Sequence, residues 1–372
     1  MEALNIRYTF LYLTFVFAII YLLQTLISHK LILGRQPITL KQNPHLPLRF
    51  SSDGIFKILQ VADMHFGNGV VTRCRDVLPS ELDGCSDLNT TRFLRRLIDE
   101  ERPDFVALQI NLWSFLVLGD NIFGTSAADA AESLFEVFGP VMESRLPWAA
   151  ILGNHDQEST MTREELMTLI SLMDYSVSQI NPAEDPSSPA NARMVVDIDG
   201  FGNYYLRVNG APGSHLANSS ILSLYFLDSG DRATVNGRRT YGWIKESQLR
   251  WLRGVSQGFE GQKRDSKQSA DLILPPAETP ALAFFHIPVP EVRQLYFKEI
   301  VGQFQEAVAC SAVNSGVLQT FVSMEDGVDT TVMVGQGGQG EPGSYLRNLG
   351  KGRGLGRESR GSGHGSDLMM RR

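Results

Sequence analysis

The sequence predicts an α/β fold that combines parallel and antiparallel strands. Apolar strand candidates alternate with amphipathic helices between Phe56 and Leu152, and this alternation is typical of parallel strands. Later runs between Arg193 and Leu227 alternate apolar with polar residues, as antiparallel strands do. Two of the apolar runs end in short clusters of carboxylate, amide and imidazole side chains, so the functional groups are expected at strand ends.

The N-terminal segment is apolar, with roughly twenty mostly apolar, uncharged positions from Tyr8 to Ile27. Its length and its basic flanks suit either a cleaved signal peptide or an uncleaved membrane anchor formed by residues 8–27. We assign residues 1–30 to this segment and residues 31–52, with three prolines, to a linker. Both alternatives predict the secretory pathway: secretion, the cell wall or vacuole, or anchorage with the domain in the lumen.

Three further residue patterns agree with a secretory protein. The sequons that begin at Asn89 and Asn218 are predicted to be glycosylated in that compartment. Cys74 and Cys85 can form a disulfide across a short loop there, although two free thiols are the alternative. We expect the bridged form.

The first β-α unit begins with the strand candidate Phe56–Val61, which delivers Asp63 and His65 at its C-terminal end. The next helix is predicted to be capped by Asn89 or Thr90. Its apolar face consists of Phe93, Leu94, Leu97 and Ile98.

The second strand candidate is unusually long. Phe105 to Leu118 is an apolar stretch of fourteen residues, whereas buried strands usually have four to eight. One interpretation is a long strand, and the other is a normal strand followed by an insertion around Asn111 to Leu118. The insertion would leave the register of Asp120 open.

The following elements continue the β-α-β pattern. A helix from about Ala127 to Phe138, which Gly139-Pro140 stops or kinks, precedes a strand at Trp148–Leu152. Later predicted elements are a helix at 163–173, strands at 193–199, 204–208 and 221–227, a polar surface loop at 261–270, and a strand at 281–285.

The composition changes after Met324. Twelve of the 31 residues from Gly335 to Gly365 are glycine, and no helical or strand period remains. Such a segment cannot bury enough surface to offset its ordering entropy, so we predict a domain at 53–323 and a disordered Gly/Arg-rich tail at 324–372. The arginines also allow an RGG-like nucleic-acid tail, but the net charge of −7 and the apolar N-terminus favour no nucleic-acid partner.

The polar clusters have the chemistry of a two-metal site for phosphate esters. Asp63 and His65 are one residue apart, so both point to the same side of an extended segment and can bind one ion. The two carboxylate oxygens of Asp120 can bridge both ions. Asn154 and His286 can bind the second ion.

A catalytic role is predicted for His155, which follows Asn154 directly. Its imidazole can donate to a phosphate oxygen or protonate the leaving alkoxide. Two structural alternatives remain open at this stage. Asp120 can be an ordinary turn residue, and His286 an ordinary core histidine.

The order of the motifs D-x-H, G-D-N, G-N-H-D and a later strand-end histidine resembles the calcineurin-like metallophosphoesterases. The flanking segments Cys74–Pro79 and Phe284–Pro288 are similar to the smaller plant purple acid phosphatases. The resemblance implies a four-layer α-β-β-α sandwich. It also implies two metal ions, Fe with Zn or Mn, and phosphomonoester hydrolysis at acidic pH.

The sequence departs from that family pattern in two ways. Purple members have a metal-ligating tyrosine three residues after the bridging aspartate, and Phe123 stands there. The family's G-H-x-H motif should follow Val322, yet the only later histidine is His364 in the glycine-rich tail. The C-terminal part of the fold is therefore expected to be incomplete and turnover weak or absent. The alternative function is a non-catalytic protein that binds phosphate or a partner.

Overall fold

The structure, a computed structural model, describes residues 12, 14–23, 46–74, 83–108, 120–181, 198–267, 279–297, 309–324 and 330–331. The chain divides into two units, Met1–Gln42 and Asn43–Arg372. In the first unit, residues 14–23 form a helix whose large apolar side chains are exposed. Within the described ranges, no helix is both long enough and apolar enough to cross a bilayer.

The second unit contains a parallel three-stranded sheet whose strands follow one another in the chain. Its strands are β2 (Ile58–Val61), β3 (Phe105–Leu108) and β4 (Trp148–Ala150). Val61 pairs with Leu108, and Leu108 pairs with Ala150, so the three strands end at one edge. Most of the predicted ligand loops leave the sheet from this edge.

A second, five-stranded sheet has the order β1-β5-β6-β9-β10. Its strands are β1 (Leu48–Arg49), β5 (Tyr204–Asn209), β6 (Ser220–Phe226), β9 (Ala281–Phe284) and β10 (Thr330–Thr331). The pair β5-β6 is antiparallel, as the alternating sequence pattern predicts, and the other pairs are parallel. Strand β9 leads directly into His286.

Five helices pack on the outer faces of the two sheets. They are α1 (Leu88–Glu101), α2 (Ala130–Ser144), α3 (Arg163–Leu172), α4 (Glu246–Lys267) and α5 (Val317–Ser323). Helices α1 to α3 share one core with both sheets, and α4 and α5 share a second core with the other face of the five-stranded sheet. This arrangement is the predicted α-β-β-α order of layers.

The alternation of side chains along β6 and β9 explains why both faces of the second sheet are buried. Leu224 and Phe226 of β6 belong to the core between the sheets, whereas Tyr225 belongs to the outer core. In β9, Phe284 lies in the core between the sheets and Ala283 in the outer one.

Two helix predictions and one loop prediction were wrong in detail. Helix α2 continues through Pro140 to Ser144, because Val141, which follows the proline, is buried in the core and holds the last turn in place. Helix α4 continues through Lys267, where a surface loop was predicted, since this polar segment contains good helix-forming residues. Helix α1 begins after Asp87, ahead of the predicted caps Asn89 and Thr90.

Several smaller elements were not predicted. The strands β7 (Arg232–Val235) and β8 (Arg238–Tyr241) form a hairpin. Short 3-10 helices at Asp156–Glu158 and Pro290–Phe297 follow β4 and β9. Strand β10 lies inside the range predicted as a tail.

Other predictions lie outside the described residues. These are most of the linker, residues 193–197 of the strand predicted at 193–199, the insertion around Asn111 to Leu118, and the glycine-rich tail with His364. Residues 198 and 199 of that strand are described and form no strand.

Candidate metal centre

Two loops at the end of the parallel sheet are joined by backbone hydrogen bonds. The His65 N–H donates to the Asp120 carbonyl at 3.0 Å, and the Phe66 N–H donates to the Asn121 carbonyl at 3.2 Å. The Phe123 N–H then donates back to the Phe66 carbonyl at 2.9 Å. These bonds fix the D-x-H loop against the loop that carries Asp120.

Three predicted ligands form a compact cluster there. Asp63, His65 and Asp120 each offer one ligand atom, and these atoms lie within 4.8 Å of one another. Nε2 of His65 is 3.3 Å from Oδ1 of Asp63 and 3.6 Å from Oδ2 of Asp120. The three side chains can therefore share one cation.

The backbone of this cluster differs from the predicted extended segment. Asp63, His65 and Asp120 have φ values of +55°, +45° and +49°, in the left-handed region. Non-glycine residues seldom adopt this conformation, and it costs about 1–3 kcal/mol per residue unless the surroundings fix it. Left-handed backbone at both residues, and not an extended strand end, directs the two side chains of the D-x-H motif to one place.

The second pair of predicted ligands is fully buried beside this cluster. Oδ1 of Asn154 lies 3.0 Å from Nε2 of His286. The same His286 nitrogen is 3.6 Å from Oδ2 of Asp120. Oδ2 of Asp120 thus lies at the same distance from His65 as from His286, so this carboxylate could bridge two ions.

The charge state of these groups fits cation binding. Burial, and then the charge of Asp156, raise the pKa of Asp120 well above its ordinary value although the charge of Arg163 opposes the shift, so a further cation beside this carboxylate would favour its ionised form. Burial lowers the pKa of His286 well below its ordinary value, which keeps the imidazole neutral, as a metal ligand must be.

Oδ2 of Asp120 provides the test of fit. This atom is buried and has no hydrogen-bond partner among the described residues, although two imidazole nitrogens lie 3.6 Å away. A buried carboxylate oxygen without a donor is costly, and a cation at this position removes the cost. The residues present therefore fit metal binding around Asp120.

His155 lies at the edge of the same cluster. Its backbone N–H donates to Oδ1 of Asp120 at 2.6 Å, and its ring nitrogen Nδ1 is 2.8 Å from Oε2 of Glu158. Its Nε2 is 4.0 Å from Oδ2 of Asp120. The contact with Glu158 leaves Nε2 as the ring nitrogen that faces the ligand cluster.

Phe123 packs against two imidazoles of the site, which also lie beside each other with ring centroids 5.3 Å apart. Its ring centroid lies 4.8 Å from that of His155 and 5.4 Å from that of His65. The phenyl ring thus fills the space beside the first half-site but has no oxygen to offer a metal.

Asp156 has a structural role that the sequence analysis did not assign. Its carboxylate accepts hydrogen bonds from the N–H of Ile122 at 2.9 Å and of Gly153 at 2.6 Å, and from the side chain of Asn121 at 3.3 Å. It therefore ties the Asp120 loop to the Asn154 turn. Its place at the end of the G-N-H-D motif was the available signal.

A buried ion pair connects this turn to the second sheet. Arg163 donates to the Gly153 carbonyl at 2.5 Å and also pairs with Asp228, which follows β6. Ser229 next accepts the Ile287 N–H at 2.8 Å, adjacent to His286. No motif in the sequence marks Arg163 or Asp228, because the sequence does not show which strand end meets the turn.

The remaining predicted residues lie away from these contacts. Cys74 and Cys85 are joined in a disulfide with Cα atoms 5.4 Å apart. Asn89 is exposed in the first turn of α1, with its side-chain nitrogen 3.0 Å from the sulfur of Cys85. Asn218 is exposed in a turn before β6.

Two sheets with buried aspartate, asparagine and histidine ligands at their strand ends define an α/β protein with a candidate dinuclear metal centre. The chain belongs to the calcineurin-like phosphoesterase family, whose model matches residues 56–313. Members of this family are metallophosphoesterases, and the family implies a dinuclear metal site.

Several plant proteins are similar to this chain. "Probable inactive purple acid phosphatase 28" of Arabidopsis thaliana is 59% identical over 321 residues, covering 86% of this chain and 75% of the relative. "Probable inactive purple acid phosphatase 29" of the same plant is 44% identical over 280 residues, covering 75% and 66%. The chain thus spans about two thirds to three quarters of these relatives.

More distant similarities reach beyond plants. The phosphatase DCR2 of Saccharomyces cerevisiae is 29% identical over 283 residues, covering 74% of this chain and 43% of the relative. A dimetal phosphatase structure from Danio rerio is 16% identical with a TM-score of 0.34, covering 63% of this chain and 70% of that one.

Proposed function

We propose that this chain binds phosphomonoesters at a dinuclear metal site and hydrolyses them slowly. Asp63 and His65 would hold one ion, Asn154 and His286 the other, and Asp120 both. The observation that carries the proposal is the buried Oδ2 of Asp120, which lies 3.6 Å from an imidazole of each half-site.

Metal ions bound at such a site supply a nucleophilic hydroxide and positive charge for the phosphate oxygens. The protein's own contribution is positioning. Asp120 is held by the N–H of His155, and the Asn154 turn is held by Asp156 and Arg163. The Glu158 contact occupies Nδ1 of His155 and leaves Nε2 towards the ligand cluster. With both ring nitrogens protonated, Nε2 can donate to a phosphate oxygen or protonate the leaving alkoxide.

Impaired turnover is part of the proposal, because each ion would have three protein ligands with Asp120 shared. Loss of outer-shell partners alone costs about ten- to a hundredfold in metal affinity or activity. Loss of a direct ligand from each ion should cost at least as much. The names of the plant relatives, which describe them as probable inactive purple acid phosphatases, agree with this expectation.

Iron paired with zinc or manganese is the proposed metal content. Carboxylate and imidazole ligands suit these ions. Because Phe123 has no phenolic oxygen, we expect no coloured Fe(III)-phenolate centre.

An assay of the purified chain with a generic aryl phosphate and added Mn²⁺ or Zn²⁺, together with elemental analysis, tests the proposal. We expect close to two ions per chain under saturating metal and weak hydrolysis, with the Asp120→Asn variant losing both. Robust turnover would contradict the impairment. A chain that takes up no metal would contradict the site itself.

A non-catalytic role is the second candidate, favoured by the missing G-H-x-H motif. In that case the same cleft binds phosphate or a partner without turnover. Phosphate binding with no detectable hydrolysis at saturating metal would favour this candidate over the first.

We further propose a secretory location, either secreted or anchored through residues 8–27, and no nucleic-acid partner. The disulfide and the exposed side chains of Asn89 and Asn218 support this proposal. Treatment of the plant-expressed protein with a glycosidase should reduce its apparent mass. An unchanged mass in the Asn89→Gln, Asn218→Gln double variant, relative to the untreated wild type, would contradict glycosylation.

A further inference from the structure

Arg232, the first residue of β7, extends into the candidate metal centre from outside the family motifs. One terminal nitrogen, Nη1, pairs with Glu158 and lies 3.4 Å from the Asn154 carbonyl. The other, Nη2, lies 3.4 Å from both ring nitrogens of His155. The guanidinium therefore lies against the imidazole that is expected to contact phosphate.

The two arginines of the site differ in what they can still bind. The side chain of Arg163 is 10% exposed and is engaged by Asp228 and by the carbonyls of the Asn154 turn. The side chain of Arg232 is 42% exposed. A guanidinium has five N–H donors, so the contacts of Arg232 leave donors for a ligand on its solvent side.

Charge also favours an anion-binding role for Arg232. The site contains several carboxylates, among them Asp63, Asp120 and Asp156, which repel a phosphate dianion. Metal ions would compensate for those around Asp120. Arg232 adds a guanidinium at the rim, although its Nη1 already pairs with Glu158 and lies 3.6 Å from Oδ1 of Asp231. Planar guanidinium groups can bind phosphate oxygens through two parallel hydrogen bonds.

Glu158 holds Arg232 and His155 together. Its Oε2 lies 2.8 Å from Nδ1 of His155, and its Oε1 pairs with Nη1 of Arg232. The neighbouring Gln157 donates to Asp231, so two adjacent contacts join the hairpin base to the His155 turn. These contacts couple the position of the Arg232 guanidinium to that of the His155 imidazole.

We propose that Arg232 is a phosphate-binding residue of this site, contacting the non-bridging oxygens of a phosphomonoester beside His155, with Glu158 as the positioning residue for both. This inference rests on the proposed function. It adds a recognition element from the β7-β8 hairpin that acts independently of the number of metal ligands. A chain with slow chemistry would therefore still recognise the phosphate group.

Inorganic phosphate is the probe for the test, titrated calorimetrically into the full-length chain loaded with Mn²⁺. The variants are Arg232→Gln, Arg232→Lys and, as a matched control, Arg238→Gln. Arg238 is exposed and lies in the same hairpin, but next to the turn and away from Arg232. Manganese content is measured for every variant to separate phosphate binding from metal binding.

We expect Arg232→Gln to weaken phosphate binding roughly tenfold or more, because hydrogen bonds to charged groups contribute that much. Arg232→Lys should restore part of the affinity, and Arg238→Gln should bind like the wild type. Manganese content should be the same in all four proteins. Circular dichroism will show whether a variant is folded at the assay temperature. If Arg232→Gln is unfolded, the phosphate affinity of Arg232→Lys is compared with that of the wild type.

Two results would overturn the inference alone: equal phosphate affinity in Arg232→Gln and wild type, or an equal loss in Arg238→Gln, which would indicate a general charge effect. A wild-type chain that holds manganese but no phosphate would overturn the inference and the substrate proposal together. A chain that holds no manganese would already contradict the metal site.

Discussion

The side-chain oxygen of Asn154 lies 3.0 Å from Nε2 of His286, although 132 positions separate the two residues. Asn154 follows the last strand of the parallel sheet, and His286 follows β9 of the five-stranded sheet. The second half-site thus exists only when the two sheets are packed together. Metal binding and the packing of the sheets are therefore thermodynamically linked.

The first prediction follows from this linkage. A ligand that binds only the folded state stabilises it by about 2.7 kcal/mol at a concentration of 100 times its Kd. Saturating Mn²⁺ should therefore raise the melting temperature of the wild type, whereas Asp120→Asn should lose most of this increase. Differential scanning fluorimetry with and without EDTA measures both effects.

Glu100→Gln is the matched control for this experiment. Glu100 is an exposed carboxylate on α1, paired only with Arg96 among the contacts described for its side chain. It should respond to Mn²⁺ like the wild type. An increase of equal size in Asp120→Asn would show that the ion binds somewhere other than at the bridging carboxylate.

The second prediction concerns Asp156, which binds no metal in the proposed site. Its carboxylate accepts two backbone N–H groups, from Ile122 and Gly153, in a buried place. Leaving a buried donor unsatisfied costs about 1–3 kcal/mol. Asp156→Ala should therefore lower the free energy of unfolding by at least that amount in EDTA, as measured by urea denaturation.

The same variant should also bind Mn²⁺ more weakly, because the Asp120 loop and the Asn154 turn lose their shared anchor. Asp156→Asn keeps one acceptor oxygen and should show a smaller loss of both properties. If Asp156→Ala is destabilised but binds Mn²⁺ with the affinity of the wild type, other contacts hold the two loops.

The ligand loops could be predicted from the sequence because polar residues directly follow apolar runs. Parallel strands end at one edge of a sheet, so Asp63 and Asn154, which follow β2 and β4, were expected to lie near one another. Asp120 comes twelve residues after the end of β3, and the long apolar stretch before it left its register open, so only the structure places it in the site. His286 was found in the same way from β9. The resemblance of four ordered motifs then supplied the order of layers.

Other features of the site depend on contacts that no local pattern encodes. The left-handed backbone at Asp63 and His65 is imposed by the neighbouring loop, which binds the backbone of both His65 and Phe66. The ion pair of Arg163 with Asp228 joins two segments 65 residues apart. Helix α4 extends beyond Gly261 because this polar segment contains residues that favour helix, although its polarity alone suggested a surface loop.

The third prediction concerns pH and Asp87. Burial is the main cause that raises its pKa from 3.8 to about 6, even though its carboxylate accepts the Gly67 N–H at 2.7 Å. Because the pKa is higher in the folded state, this group favours folding below pH 3.8, and that contribution is lost as the pH rises through about 6. The unfolding free energy of the wild type should therefore fall between pH 4 and pH 7 relative to Asp87→Asn.

The difference between the two proteins, measured by urea denaturation in EDTA at several pH values, isolates Asp87 from other titrating groups. Asparagine is nearly isosteric and keeps an acceptor for Gly67. Parallel stability curves for the two proteins would mean that Asp87 titrates alike in the folded and unfolded states.

The fourth prediction addresses the missing histidines. In the sequence, Gly335-Gln336-Gly337-Gly338 follows β10 closely, and β10 pairs in parallel with β9, the strand that leads to His286. The double substitution Gln336→His and Gly338→His creates a G-H-x-H spacing at this place in the chain. If ligand number limits the site, the double variant should bind Mn²⁺ at least about tenfold more tightly and hydrolyse aryl phosphate faster.

A matched double variant, Gln336→Asn with Gly338→Asn, adds polar side chains of similar character without imidazole. It should leave metal affinity and turnover unchanged. Tighter binding in the histidine variant alone, lost again on addition of Asp120→Asn, would place the new ligands on the same metal pair. Unchanged affinity in the histidine variant would mean that this segment does not reach the site and that the impairment has another cause than the two absent imidazoles.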